Sequence, residues 1–291
     1  MTDKTFAVHL FEVDEQFSSV RFDDALESIR VRSLEQRNHP VNEQVMRLEE
    51  IVPPTQAKPY WLLDFGRFRN FGPGQGSHNT PIRDIQLDTD HSFAEDTAAL
   101  YCRGRNGTGW LILQYNHVGT RASHVSPYIS GLLQDEEIIF ELGAKLTGDS
   151  FAKLDRATHF TKLKVKVATA SLTRELLDGG LSIKSALEAS IPLNGDYVTI
   201  EISTRKRKAE RSINVPPIAE WLKRLVRSGA AETAQLKAGS NEYPLEPIDL
   251  LEGKLTQRFK LTNVVGSRVT RDDRWELLER TYTAWSNHIQ P

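Results

Sequence analysis

The stretch His159-Phe-Thr-Lys-Leu-Lys-Val-Lys-Val-Ala168 decides how this chain is read. Phe160, Leu163, Val165 and Val167 are apolar, and Lys162, Lys164 and Lys166 stand between them. Successive side chains of a strand point to opposite faces, so this alternation sets a buried row against a row of three ammonium groups. A sheet with one covered side and one charged side follows.

Working outward, Tyr197 to Ser203 reads as a second such strand, with Val198, Ile200 and Ile202 on one face. It runs straight into Thr204-Arg-Lys-Arg-Lys208, with Arg211 close behind. Pro216-Pro217 then opens an amphipathic helix through Arg227. Ile218, Trp221, Leu222, Leu225 and Val226 form its apolar face, and Lys223, Arg224 and Arg227 lie elsewhere on it. Before the lysine strand, Ala98–Arg103 and Gly109–Tyr115 flank Arg105-Asn-Gly-Thr108, a hairpin turn in which Asn-Gly supplies the positive φ. Strands are also expected over 6–13, 60–68, 137–146 and 255–261. Helices are expected over 22–29, 41–51, 126–133, 173–177, 183–189 and 273–289, with Ser126 and Pro127 opening the third of these. Phe71-Gly-Pro-Gly-Gln-Gly76 reads as a turn or mobile loop. Strands and helices do not alternate strictly, so the fold class is α+β, with mixed or antiparallel sheets, flanking helices and two subdomains. The expected division is an acidic α+β region over 1–97, a region carrying the basic face over 98–230, and a C-terminal strand and helix over 231–291.

The chain has 291 residues, 37 Lys+Arg, 39 Asp+Glu and a single cysteine, Cys102. One cysteine excludes an internal disulfide framework and a multi-cysteine zinc site. The start Met-Thr-Asp-Lys-Thr-Phe-Ala-Val-His-Leu10 has no apolar core of a leader, and no run approaches about 18 apolar residues. A cytoplasmic chain without membrane insertion is the expectation.

A net charge of −2 argues against nucleic acid only as an average. By segment it is −8 over 1–144, +7 over 145–227 and −1 over 228–291. Screening cuts off surface charge beyond about 8–10 Å, so local potential governs binding. The candidate phosphate-binding residues are Lys162, Lys164, Lys166, Arg205, Lys206, Arg207, Lys208, Arg211, Lys223, Arg224 and Arg227. Lys and Arg are cationic donors, and a cluster of them releases counterions when it meets a phosphate backbone. Few aromatics are interleaved, which favours duplex backbone over stacked single strands.

Three other groupings carry weaker signals. Asp84, Asp88, Asp90, His91, Glu95 and Asp96 contain ligand types for Mg²⁺ or Mn²⁺, which would make the chain a metal-dependent nuclease. An exposed acidic loop is the preferred reading. Asn116, His117, Arg121, Ser123 and His124 follow a strand, but adjacent Ser123 and His124 point apart and no Gly-x-Ser-x-Gly elbow is present; a polar loop fits better. Gly72, Gly74 and Gly76 lack the Lys-Ser/Thr of a phosphate loop. No catalytic residue, metal site or cofactor is therefore assigned. A protein-interaction or sensor module without DNA binding is the remaining alternative.

From about residue 98 the order of elements resembles RexA, the phage-exclusion protein, and the related DNA-binding subunit of the Kiwa anti-phage system. The matching features are the Ala98–Tyr115 hairpin, the helical segment at 123–133, the lysine strand Phe160–Val167, and Tyr197–Ser203 leading into the basic run 205–211. The resemblance implies sequence-independent double-stranded DNA binding by a homodimer in phage exclusion or defence, with a membrane-protein partner subunit. It brings no catalytic motif, and residues 1–97 depart from the pattern.

Overall fold

The computed structural model describes residues 4–16, 18–41, 44–69, 74–77, 80–84, 87, 92–116, 119–135, 137–146, 148–168, 197–204, 215–240, 245–251, 254–261 and 269–289. They form an α+β fold that divides into two units. The first comprises residues 1–8, 15–140 and 258–291, and the second residues 9–14 and 141–257.

The first unit is built around β4 (Tyr60–Arg69), a strand buried on both faces over most of its length. It pairs antiparallel with β3 (Gln44–Val52) on one side and β7 (Phe93–Arg103) on the other. β2 (His39–Val41) continues the sheet beyond β3, and β8 (Gly109–Tyr115) continues it beyond β7. β1 (Lys4–Asp14) and β14 (Thr256–Leu261) complete the order β14-β1-β8-β7-β4-β3-β2. The β7–β8 turn is the expected one, with Gly107 at φ 85°.

One face of this sheet is covered by α1 (Phe22–Arg30) and α2 (Ala122–Leu133). Phe22 stacks on Tyr101 at 4.6 Å, and Tyr128 meets Phe65 edge-on at 6.2 Å. The other face packs α5 (Arg271–Ala284), where Tyr282 lies 4.9 Å from Tyr60. That face buries Asp64, which accepts from Arg274 and Arg271, each at 2.8 Å. Burial pushes the Asp64 carboxyl up, and the two guanidinium groups pull it back. Arg274 also bonds Asp96. α6 (Ser286–Ile289) follows α5 after Trp285, so the closing helix expected over 273–289 is two pieces. Cys102 is a core residue whose thiol is pushed up to about 12, chiefly by burial, and it has no nucleophilic character.

Residues 41–51 have helical spacing in sequence and instead form β2 and β3. The cause is a bulge between Leu48 and Glu50. It adds a residue to the strand, so the buried positions run Met46, Leu48, Ile51 and mimic a helical spacing. Beyond His39 and Met46, where the β2–β3 ladder ends, the Tyr128 hydroxyl bridges the two segments. Leu48 N–H donates to the Tyr128 hydroxyl at 2.9 Å, and that hydroxyl donates to the Arg37 carbonyl at 2.8 Å. Arg37 in turn donates to the carbonyls of Leu48, Arg30 and Arg32.

α2 begins four residues before the expected Ser126 start. Arg121 is its N-cap, and Pro127 sits inside the helix. Gly74–Ser77 (β5) and Thr80–Asp84 (β6) pair as a two-stranded ladder, where the sequence suggests a loop for residues up to 76. Of the strand expected over 137–146, only β9 (Glu141–Ala144) forms, paired with Phe11–Asp14 of β1.

The second unit carries β9, α3 (Ser150–Arg156), β10 (His159–Ala168), β11 (Tyr197–Ser203), α4 (Val215–Arg227), β12 (Ala231–Gly239) and β13 (Glu246–Asp249). β10 and β11 have the expected bounds. β12 and β13 occupy a stretch that reads in sequence as a loose boundary. Their alternation rests on Ala234, Leu236 and Ala238, and alanine carries little hydrophobic contrast and favours helix. The sheet order is β11-β10-β12-β13, all antiparallel. Phe160, Leu163, Val165 and Val167 pack with Ile218, Trp221, Leu222, Leu225 and Val226 of α4 and with Leu154 of α3. The helices expected over 173–177 and 183–189 lie outside the described residues.

Tyr128→Phe tests the bridge between Leu48 and Arg37. It leaves the buried Leu48 amide unpaired, so urea unfolding should show a loss of about 1–3 kcal/mol in the first unit. An unchanged midpoint would show that the amide finds another partner.

Candidate phosphate-binding face

Among the described residues, α3 and α4 cover the apolar side of the second unit's sheet, and no helix covers the other side. Lys162, Lys164 and Lys166 of β10 project there, as their alternation with buried residues requires. Register brings further polar groups beside them. Lys162 stands opposite Lys237 of β12 and Ser203 of β11; Lys164 opposite Gln235 and Glu201; Lys166 opposite Thr233 and Thr199. Gln235 donates to Asp249 of β13 at 3.1 Å. Lys162, Lys164, Gln235, Lys237, Pro247 and Asp249 line an open concavity of about 790 Å³.

Four lysines thus meet two carboxylates across this patch. Glu201 accepts from Lys162 at 2.9 Å, and that contact, followed by the coulombic pull of Lys162 and Lys164, holds its carboxyl below the ordinary range. The Lys166 ammonium lies 3.9 Å from the centroid of the Tyr197 ring. Alternate residues on a strand are about 6.6 Å apart, and directly opposed ones about 5 Å, so the four charges are dense.

The helical cations are elsewhere. α4 lies against the apolar face, so Lys223, Arg224 and Arg227 belong to the opposite layer from the three strand lysines. Lys223 is bound by Asp155 and by Glu220, the latter at 2.9 Å, and both raise its pKa. The Arg227 guanidinium lies 5.5 Å from the centroid of the Phe151 ring. Arg205, Lys206, Arg207, Lys208 and Arg211 lie outside the described residues. Their run begins two residues beyond Ser203, the last residue of β11, which is an edge strand. Lys237 escapes a reading of the sequence because the weak contrast of β12 hides its strand.

The other sequence candidates separate in the same way. Glu95 pairs with Arg69 at 2.7 Å and Asp96 with Arg274, so both carboxylates are engaged by guanidinium groups. Asp88, Asp90, His91 and His117 lie outside the described residues. Among the described residues no three potential metal ligands gather. His124 is wholly buried, and its Nδ1 accepts the Arg121 amide at 3.2 Å. It serves as a helix-capping group, which leaves Nε2 to carry the proton.

The fold and face together define an α+β protein whose second unit is a four-stranded antiparallel sheet, covered by helices on one side and lysine-bearing on the other. The chain belongs to the Family of unknown function (DUF6731), whose sequence profile matches residues 12–288. No curated protein matches it significantly. No helix of the described residues is long and apolar enough to cross a membrane.

Since two carboxylates already neutralise Lys223, removing its charge should matter little to an anion bound elsewhere. Lys223→Gln is expected to change DNA affinity less than twofold in fluorescence anisotropy. A larger loss would place the binding surface on the helical layer.

Proposed function

We propose that this protein binds double-stranded DNA without sequence preference, by electrostatic contact of the open lysine face with backbone phosphates. One observation carries the reading: Lys162 and Lys237 stand directly opposite one another on adjacent strands, with Lys164 and Lys166 in line. Like charges so placed destabilise a sheet, and Glu201 relieves only part of the repulsion. An anionic ligand removes the rest. Among the described residues the face is strand without a protruding helix or ribbon, which supports backbone contact over base readout.

Arg205, Lys206, Arg207, Lys208 and Arg211 would extend the face from the β11 edge. Arg adds bidentate phosphate contacts to the point charges of lysine. Arg224 and Arg227 are secondary candidates, since they lie on the other layer. The resemblance of the element order to RexA-like proteins supports a setting in phage exclusion or anti-phage defence, in the cytoplasm, as a homodimer with a membrane-protein partner.

A gel-shift series with duplex DNA across salt concentrations tests the proposal. Each neutralised phosphate contributes a slope of about −0.9 in log K against log salt. Triple replacement of Lys162, Lys164 and Lys237 by Gln should flatten that slope by about 2–3 and weaken binding at least tenfold, with an unchanged circular dichroism spectrum. Retained affinity in the folded variant, or a flat salt response in the wild type, would falsify the assignment. Including Mg²⁺ in parallel lanes separates binding from cleavage.

A further inference from the structure

Residues on the open face of the second unit's sheet fall into rows that cross its four strands. Ser203, Lys162, Lys237 and Pro247 form one row, and Glu201, Lys164, Gln235 and Asp249 form the next. The two rows differ in chemistry. The first holds two ammonium groups and no carboxylate, and the second ends in a carboxylate on each side.

Those two carboxylates are engaged differently. Glu201 takes the Lys162 ammonium at 2.9 Å. Asp249 takes two neutral donors instead: one oxygen accepts the Leu251 amide at 2.9 Å, and the other accepts Gln235 Nε2 at 3.1 Å. These contacts fix the carboxylate, and of its roughly four lone-pair positions about two stay open to a ligand. Lys164 and Lys237 form no ion pair among the described residues. A fixed anionic acceptor thus lies beside ammonium groups that it does not neutralise. Such a pairing suits a ligand that brings both an anion and hydroxyl donors.

Lys162, Lys164, Gln235, Lys237, Pro247, Asp249 and Leu251 line one concavity of about 790 Å³, within the roughly 300–1,000 Å³ usual for small-molecule sites. Its two rows lie about 6.6 Å apart along each strand, a spacing that spans a ribose 5′-phosphate. We propose that this concavity binds a ribonucleotide. The phosphate lies between Lys162 and Lys237, the ribose hydroxyls donate to Asp249, and the base lies against Pro247 and Leu251. The proposal rests on the reading of the face as phosphate-binding, and Asp249 adds a preference for ribose, since deoxyribose offers one hydroxyl fewer. Because Lys162 and Lys237 serve both ligands, the nucleotide occupies part of the surface assigned to DNA.

The test is isothermal titration calorimetry of the full chain at constant ionic strength, with adenosine 5′-monophosphate, its 2′-deoxy analogue and inorganic phosphate. Wild type should bind the ribonucleotide about fivefold or more tighter than the deoxy analogue, the worth of one hydrogen bond to a charged group. Equal affinity for the two, or no binding of the ribonucleotide, overturns the proposal. Asp249→Asn gives the two mechanisms opposite signs. If the face acts through its potential alone, removing a negative charge strengthens every anion. The proposed site instead requires the ribonucleotide to weaken by about fivefold or more, while inorganic phosphate and duplex DNA bind as well or better. Tighter ribonucleotide binding by this variant overturns the proposal. Glu201→Gln, at the other end of the same row, should leave the ribonucleotide unchanged or tighter; a loss equal to that of Asp249→Asn overturns the assignment to Asp249. Asparagine keeps an oxygen for the Leu251 amide; should the variant still fail to fold, the ribose-to-deoxyribose ratio of wild type decides alone. A parallel gel shift separates the two readings. Duplex binding without nucleotide binding sinks this proposal alone, and Asp249-dependent nucleotide binding without duplex binding sinks the DNA reading alone.

Discussion

β4 is the strand on which the first unit depends, because it is buried on both faces and still carries charge on each. Burial of an ionised group is tolerated only where the surroundings answer it. On the α5 face they do. Asp64 receives Arg274 and Arg271, and Arg274 reaches on to Asp96 of β7, so the C-terminal helix is fixed to the sheet centre by a network of charge-assisted hydrogen bonds. On the α2 face Phe65 and Tyr128 supply apolar packing, and Arg67 donates to the Gly119 carbonyl with Glu95 opposite it on β7. The same strand therefore holds one helix by electrostatics and another by aromatic packing.

Tyr128 links that packing to the neighbouring strand. Its ring packs against Phe65, and its hydroxyl bridges the Leu48 amide to the Arg37 carbonyl beyond the end of β2. Arg37 closes the arrangement by donating to carbonyls at the end of α1 and on β3. A buried tyrosine at the end of a ladder keeps a buried backbone amide paired.

In the second unit the asymmetry of the sheet decides what the surface can do. Leu163, Val165 and Val167 take α4, and the lysines between them lie on the opposite face, Lys162 exposed and Lys164 and Lys166 half-buried. A strict period of two makes this split legible in the residues of β10 alone. Charge counting along the chain misleads in one respect: the eleven candidate residues within 66 positions read as one cluster, whereas the helix that carries three of them lies on the far layer. Sequence proximity reports charge density along the chain. Only the sheet order and the helix placement report which charges share a face.

What the sequence determined by itself is the set of elements whose periodicity is unbroken and whose apolar contrast is strong: β10, β11, α4 and the β7–β8 hairpin with Gly107. These need no partner to be recognised, because local stereochemistry and burial of one face agree. What only the tertiary structure decided is where contrast is weak or long-range pairing overrides it. A bulge disguised the strand period within 41–51, alanine hid β12, and Lys237 came to face Lys162 across a ladder. Arg67 met the α2 N-terminus at Gly119, 52 residues further along the chain, a contact set by strand pairing and helix packing, which no local pattern encodes.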